Sequence, residues 1–432
     1  MHYRIIYIII FFHSLIFGQS LFNRYVGTDP FIGSAQSTAM GNTHLLNSIG
    51  SSNVRFNPAN LGLMKSRLGF DFQINRSSIF ERWSMPVRDS FGEFLTNADY
   101  VANEFSYYSI NPGIFSSINL PFIGTVGAGI HYSPLTHFIY NYSEEVRGSY
   151  STEDGEYASK DPIVGYQNFI TGGTPMVTSF GGGIKLAFLG NIDFSIGGTI
   201  NIVHSTNISD QVEVDTLYSD VTNLSTLPDL YITDESPITN FMTLSTTMNL
   251  TSNIKLGLAW EEKAKITSTQ YSSSINSTNS LFEYFVDGNY MVSGVNYMKP
   301  EIISFAVSSI SYFENMISIN FELDLISYNN HLNLNDYKQY KFGFEYITQM
   351  GTPIRGGLMY KTAFIPAMKP VSMLTFGSGK SFGKIIIDAT GTYCFQSLDY
   401  PDLFPVEGDV RTDTDLIRDS QLHLQLALTY HF

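Results

Sequence analysis

The chain has 432 residues and a formal charge of −15, yet only 15% of its residues are charged, against 14% aromatic with 27 Tyr and 33 Phe. A soluble domain normally carries charge on about a quarter of its residues, and the acidic balance excludes nucleic acid as a partner. A lone cysteine, Cys394, excludes an internal disulfide, and a mean hydropathy of zero with no long apolar run after residue 17 excludes a bundle of membrane helices.

The N-terminus reads as an export signal. Arg4 gives a positive start, residues 5–17 are almost wholly apolar, and Gly18-Gln19-Ser20 follows. At ~1.5 Å rise per residue that run reaches only about 20 Å, too short to cross a bilayer as a helix. Cleavage is expected after Gly18, which makes residues 1–18 a signal peptide, although Ile16 replaces the small residue preferred at −3. An exported chain that is poor in charge and rich in Tyr, Phe, Gly, Asn and Ser fits a transmembrane barrel. There, lipid-facing and lumen-facing residues alternate and average out.

Residues 19–65 do not alternate. Ser34 to Gly41 reads as a helical turn stopped by glycine, and Ser51 to Leu63 as a second turn broken at Asn57-Pro58. A segment of this length ahead of the first strand is the right size to fold back into a barrel as a periplasmic hatch or plug. Proline removes a backbone donor and fixes a turn, and asparagine can cap the freed groups. Asn57, Pro58 and Ala59 are therefore the candidate hatch residues, with an ordinary helix break as the plainer role.

From residue 66 onward the pattern changes to period two. Candidate strands cover 66–79, 108–119, 124–140, 176–188, 192–204, 240–250, 254–266, 301–312, 316–328, 338–348, 353–361, 371–378, 382–396 and 421–432. That is fourteen, the even number a closed antiparallel barrel needs, and it assigns 66–432 to the barrel. Short connections carry turn chemistry at Pro121, Gly190-Asn191, Ser252-Asn253, Glu314-Asn315, Gly351 and Gly379. They alternate with long connections near 80–107, 141–175, 205–239, 267–300 and 397–420, expected as outer loops. Phe80, Trp83, Met85 and Phe91 in the first of these are candidates for a surface-capture patch, with plain loop packing as the alternative.

The face split predicts a charged lumen. Leu68, Phe70, Phe72 and Ile74 alternate with Arg67, Gly69, Asp71 and Gln73, and Tyr340, Phe342, Phe344 and Tyr346 with Lys341, Gly343 and Glu345. A basic residue facing lipid at the midplane costs roughly 2–4 kcal/mol, so charges in strands should point inward. Asp71, Asp193, Glu322, Asp324, Lys341, Glu345, Arg355, Lys361 and Asp388 are expected there. The hairpin around Gly351 sets Glu345 opposite Arg355 and predicts an ion pair, either a structural filling of the lumen or a guide for substrate.

The last dozen residues give the sharpest local signal. Phe432, Tyr430, Leu428, Leu426, Leu424 and Leu422 alternate with His431, Thr429, Ala427, Gln425, His423 and Gln421. At ~3.4 Å per residue such a strand spans about 40 Å, enough to cross a bilayer with tilt. The ending in Phe432 with Tyr430 two residues before it resembles the terminal signal read by the outer-membrane assembly machinery.

Two motifs ahead of the first strand resemble the long-chain fatty-acid transporter (FadL/TodX-like) superfamily, which includes the PorV-type outer-membrane proteins. These are Ala39-Met40-Gly41 and Asn57-Pro58-Ala59 with Leu61. Asn42-Thr43 and Asn60 stand where the superfamily pattern has Gly-Ala and Gly. Glu345-Tyr346, Arg355-Gly356-Gly357 and the run from Phe382-Gly383 to Asp388 look like the PorV-type pattern. The resemblance implies a fourteen-stranded outer-membrane barrel with an N-terminal hatch at Asn57, Pro58 and Ala59. It further implies hydrophobic molecules captured at outer loops and leaving sideways through a gap in the wall.

Enzyme chemistry finds no support in the sequence. Gly377-Ser378-Gly379-Lys380-Ser381 fails as a phosphate loop because Leu374 stands where its first glycine belongs, and it reads better as a periplasmic turn. No His-Glu-x-x-His, paired-cysteine or Gly-x-Ser-x-Gly motif occurs, so no metal or cofactor is expected. Asp409, Asp413 and Asp415 could clamp calcium, with a solvated acidic loop as the plainer reading. The expected function is passive uptake of hydrophobic small molecules. The alternatives are a PorV-like barrel that binds exported cargo proteins in type IX secretion and a purely structural barrel or adhesin.

Overall fold

The computed structural model describes residues 26–64, 68–121, 124–147, 163–186, 192–217, 230–236, 238–266, 297–312, 315–329, 334–364, 368–400 and 414–432. The expected signal peptide, Asp409 and Asp413 lie outside them. Strands β1 (Gly69–Arg88), β2 (Phe94–Leu120) and β3 (Gly124–Pro134) are followed by β4 (Tyr140–Arg147) and β5 (Ile163–Gly172). Next come β6 (Met176–Leu186), β7 (Asp193–Val203), β8 (Thr206–Thr216), β9 (Leu230–Ser236) and β10 (Thr239–Asn249). Then follow β11 (Ile254–Glu261), β12 (Ala264–Lys265), β13 (Met298–Lys299), β14 (Glu301–Tyr312) and β15 (Met316–Ser327). The last five are β16 (Tyr337–Ile347), β17 (Pro353–Lys361), β18 (Val371–Phe382), β19 (Ile385–Tyr400) and β20 (Asp415–His431).

Fourteen of these form a closed antiparallel barrel in the order β1-β2-β3-β6-β7-β10-β11-β14-β15-β16-β17-β18-β19-β20. β20 closes on β1 in unbroken register from Gly69↔His431 to Ser84↔Leu416. The alternation seen in the sequence is the cause. Asp71, Gln73 and Asn75 turn inward and are buried, while Ile114, Ile200, Phe344, Leu374 and Leu426 are 41–59% exposed on the outside. Polar within and apolar without inverts the order of a soluble protein, and a skin of this kind is covered only by lipid. The protein is a membrane-spanning β-barrel.

Several expectations about the connections are corrected. Residues 80–107 are not a loop: β1 and β2 run on for 20 and 27 residues and pair up to a tip at Gly92, whose φ is +86°. Beyond the bilayer a hairpin needs no apolar outer face, so period-two patterning fades while pairing continues. Bulges at Trp83/Ser84 and Val87/Arg88 blur it further. The connections near 141–175 and 205–239 hold a second sheet in the order β4-β5-β8-β9. The turn assigned to Gly379, and with it residues 377–381, lies inside β18, and the chain reverses at Gly383 with φ +68°. Gly379 is there for space, since a Cβ would meet the carboxylate of Asp388 across the pair.

The segment ahead of β1 lies inside the lumen. It forms α1 (Ala35–Ala39), α2 (His44–Asn47), α3 (Ser52–Phe56) and a 3-10 turn, Pro58–Leu63. Ser34 caps α1 by accepting the Ser37 N–H at 3.2 Å, and Pro58 opens the 3-10 turn, where its missing N–H costs nothing. Thr28 bridges to His137 beyond the outer end of β3, so the described chain starts at the outer level and descends through the barrel to β1.

Candidate functional site

Helices of four or five residues leave nearly all their backbone groups without partners of their own. In this hatch, the lumen wall supplies them. Thr375 Oγ1 accepts from Gly41 N and donates to Ala39 O, each at 2.8 Å. Thr390 Oγ1 donates to Ala35 O at 2.5 Å, Gln425 Nε2 to Gly33 O at 2.8 Å and Thr199 Oγ1 to Val54 O at 2.5 Å. Carboxylates do the same for donors: Glu322 accepts from Leu45 N at 2.7 Å, and Asp71 accepts from Ser51 N. The sequence reading missed this role of inward Ser, Thr and Gln. Its signal was the recurrence of small polar residues on the inward face, clearest at Thr243, Ser245 and Thr247 of β10, a strand with no charged residue.

Asn57, Pro58 and Ala59 sit at the junction of α3 and the 3-10 turn, pressed against β6, β7 and β10. Asn57 Nδ2 donates to Leu45 O at 2.5 Å and Thr247 Oγ1 at 2.9 Å, and Ala59 N donates to Ser245 Oγ at 2.9 Å. A Cβ on Gly183 would fall 2.1 Å from Pro58 O, and one on Gly197 would fall 2.3 Å from Ala59 N. At Gly183 and Gly197 the wall is bare of side chains, and the hatch backbone lies directly on it.

Among the described residues, buried ion pairs gather in three groups. Lys341 Nζ lies 2.8 Å from Glu322 Oε1 and 2.6 Å from Asp324 Oδ2. Arg355 Nε donates to Glu345 Oε2 at 2.6 Å, and its Nη1 reaches Asp388 Oδ1 at 2.5 Å. The latter contact crosses β18, where Gly377 and Gly379 leave room. The third group was not foreseen: Arg55 of α3 pairs with Glu261 at the end of β11, and Lys299 approaches Glu261 at 2.6 Å. Burial pulls the Lys299 ammonium down from 10.5 to about 8, against the opposing pull of Glu261. Asp193 instead meets Lys185 at 2.6 Å on a half-exposed rim, and Lys361 lies 4.8 and 4.6 Å over the rings of Tyr337 and Phe364.

The hatch separates two cavities. An outer one of about 250 Å³ is bounded by hatch residues Phe31, Ile32, Asn42 and Arg55 and by Glu261, Lys299, Lys341, Met359, Met373 and Cys394 of the wall and its outer edge. A second, of about 580 Å³, is bounded by Gln36, Asn53, Asn60 and Met64 under the hatch and by Glu345, Arg355 and Asp388. Packed aromatics lie outward of the first cavity: Trp83 meets Tyr142 edge-on at 5.0 Å and Tyr400 at 6.2 Å. The expected capture patch is therefore divided. Trp83 is fully buried, while Phe80, Met85 and Phe91 are exposed, the last to 89%. Asp415 accepts from Tyr100 OH at 2.8 Å in the same outer region.

Among the described residues, the β2–β3 seam is incomplete. β2 and β3 pair from Leu120↔Gly124 only as far as Gly113↔His131. Above that level β2 continues against β1, and β3 continues against β6, without pairing to each other. Pro112, with no N–H to offer, stands where the ladder stops. At the opposite end, Phe432 N donates to Leu68 O at 3.1 Å, and the Phe432 ring packs edge-on to Tyr430 at 4.9 Å.

No protein-family model matches the chain, and no curated protein matches it in sequence. Solved structures do match. A Pseudomonas aeruginosa FadL homologue aligns over 94% of this chain and 100% of its own, with a TM-score of 0.56 and 12% identity. The toluene transporter TodX of P. putida aligns over 94% and 99%, with a TM-score of 0.53 and 13% identity. CymD, a monoaromatic hydrocarbon channel, aligns over 94% and 99% at 0.53 and 12%. The chain has the FadL/TodX fold.

Proposed function

Starting from that fold, we propose that the protein is a passive outer-membrane channel for hydrophobic small molecules of fatty-acid or hydrocarbon type, with the Asn57-Pro58-Ala59 hatch as its gate. The observation that carries this reading is the pairing of a lumen filled along its axis with a wall seam that stops halfway. A polar solute needs a continuous wet path, and this axis holds packed aromatics above and a hydrogen-bonded hatch below. A hydrophobic solute gains by leaving sideways into lipid, at about 25 cal/mol per Å² of apolar surface removed from water. The β2–β3 seam above Gly113 is its exit. At about 250 Å³ the outer cavity sits just under the ~300–1,000 Å³ of pockets that hold drug-sized ligands, so a longer substrate requires the hatch to move.

The buried ion pairs hold the wall around the hatch, and Phe432 with Tyr430 serves recognition by the assembly machinery. Mass spectrometry of molecules retained by the protein in mild detergent tests the main reading, together with hydrocarbon uptake by cells that do or do not produce it. A hydrophobic compound bound and uptake raised are the expected results. Ion conductance typical of an open pore, or an exported protein held in place of a small molecule, would overturn it.

A further inference from the structure

We propose that Met359, Met373 and Cys394 form a soft-metal site on the wall of the outer cavity, taking one monovalent thiophilic ion of the Cu(I) or Ag(I) class. The three residues come from adjacent strands and lie side by side: Met359 pairs with Met373, and Met373 pairs with Cys394. All three point inward, are 4–6% exposed and line the same cavity. Directly cross-strand Cβ atoms are ~4.5–5.5 Å apart, and the concave wall turns such neighbours toward one another.

A second observation brings the two thioethers to a common point. Asn42, in the left-handed turn between α1 and α2, places its amide Nδ2 3.8 Å from Met359 Sδ and 3.7 Å from Met373 Sδ. One N–H₂ group thus donates to both thioethers, so a lone pair of each sulfur faces the point that a cation shared by them would take. The Asn42 Oδ1 is buried with no hydrogen-bond partner among the described residues, so the two weak N–H···S bonds to the thioethers are what hold the amide in this position. Thioether and thiolate donors without histidine or carboxylate in the row select a soft ion over zinc, magnesium or calcium. Methionine's flexible, unbranched side chain lets both sulfurs turn onto one ion.

Binding involves no redox change. The two thioethers each donate a lone pair, the Cys394 thiol gives its proton to solvent, and the thiolate completes the site. The ion displaces the Asn42 amide, so it acts directly on the hatch.

The test uses the full-length protein purified in detergent, with Ag(I), or with Cu(I) kept reduced by ascorbate. One equivalent is expected to bind, with release of one proton, a new thiolate-to-metal absorption band and protection of Cys394 from a small methanethiosulfonate reagent. Met359→Leu and Met373→Leu, which keep volume, should each weaken binding by about tenfold or more, with folding checked by heat-dependent gel migration. X-ray absorption on the copper-loaded wild type needs no variant and should count three sulfur neighbours. A wild type that binds no ion overturns the proposal. So does binding that depends on Cys394 alone, seen as a single sulfur neighbour or as affinity unchanged in both leucine variants.

Discussion

Along β15–β18 the wall is a set of fully paired strands whose inward charges neutralise one another, Lys341 against Glu322 and Asp324, and Arg355 against Glu345 and Asp388. At β2–β3 the ladder stops at Gly113↔His131, and the inward residues around the break are uncharged. There Asn111, Ser133 and His131 Nε2 are buried without a side-chain hydrogen-bond partner among the described residues. The first side has every reason to stay as it is, because separating any pair strands a charge in a dry interior. The second has little to lose by parting, since its polar groups are already unmatched. Under the proposed function, rigidity and permeability fall on opposite sides of one cylinder.

The contrast can be broken most directly at the seam. Asn111→Cys with Ser133→Cys, in a Cys394→Ser background, should cross-link β2 to β3 where pairing is missing and cut hydrocarbon uptake by on the order of tenfold, as expected when a gating step is blocked. Ile118→Cys with Val126→Cys, inside the existing ladder, should leave uptake unchanged. On the paired side, Lys341→Met leaves Glu322 and Asp324 facing each other and should cost about 3–5 kcal/mol, read from the denaturant midpoint. Uptake lost without any loss of stability in that variant would reverse the division of labour.

Acid should loosen the outer anchor of the hatch. Burial holds the His137 imidazole down at about 4, below its ordinary 6.5. Between those values the unfolded segment binds a proton that the folded one refuses, so stability falls as pH drops from about 6.5 to 4 and levels off below. The loss is at most about 3 kcal/mol. Amide protection at Thr28, corrected for intrinsic pH dependence, should follow it, and His137→Gln should flatten the profile. Thr375→Val removes the partner of both Gly41 N–H and Ala39 C=O and should cost about 1–3 kcal/mol, seen as faster exchange at Gly41. The smallest effect is expected at Arg82, whose pair with Asp99 is 63% exposed on the arginine side. Arg82→Ala should shift stability by no more than about 0.5 kcal/mol.

The barrel was legible because lipid imposes a strict period of two. Leu422 to Phe432 and Tyr340 to Tyr346 alternate without a break, and the even count came from fourteen such runs along the chain. Above the bilayer that constraint lifts, which is why the upper parts of β1 and β2 and the strands β4, β5, β8 and β9 read as loops. Gly379 misled because glycine marks a turn in sequence, whereas here it clears space for a carboxylate two strands from Arg355. The facing of Glu345 and Arg355 could be read from the hairpin between them. The grouping of Arg55, Glu261 and Lys299 could not, because it joins a helix in the lumen to two distant strand ends. The same limit hid the row Met359, Met373 and Cys394, which exists only once the register of three strands is known.

The position of Thr28 against His137 has a consequence for biogenesis. If the segment from residue 26 onward entered after closure, it would have to pass lengthwise through a finished ring. An order in which residues 26–64 settle in the hollow of an open, curling sheet before β20 zips onto β1 avoids that passage. In that order the fourteen strands are staves raised around a cork.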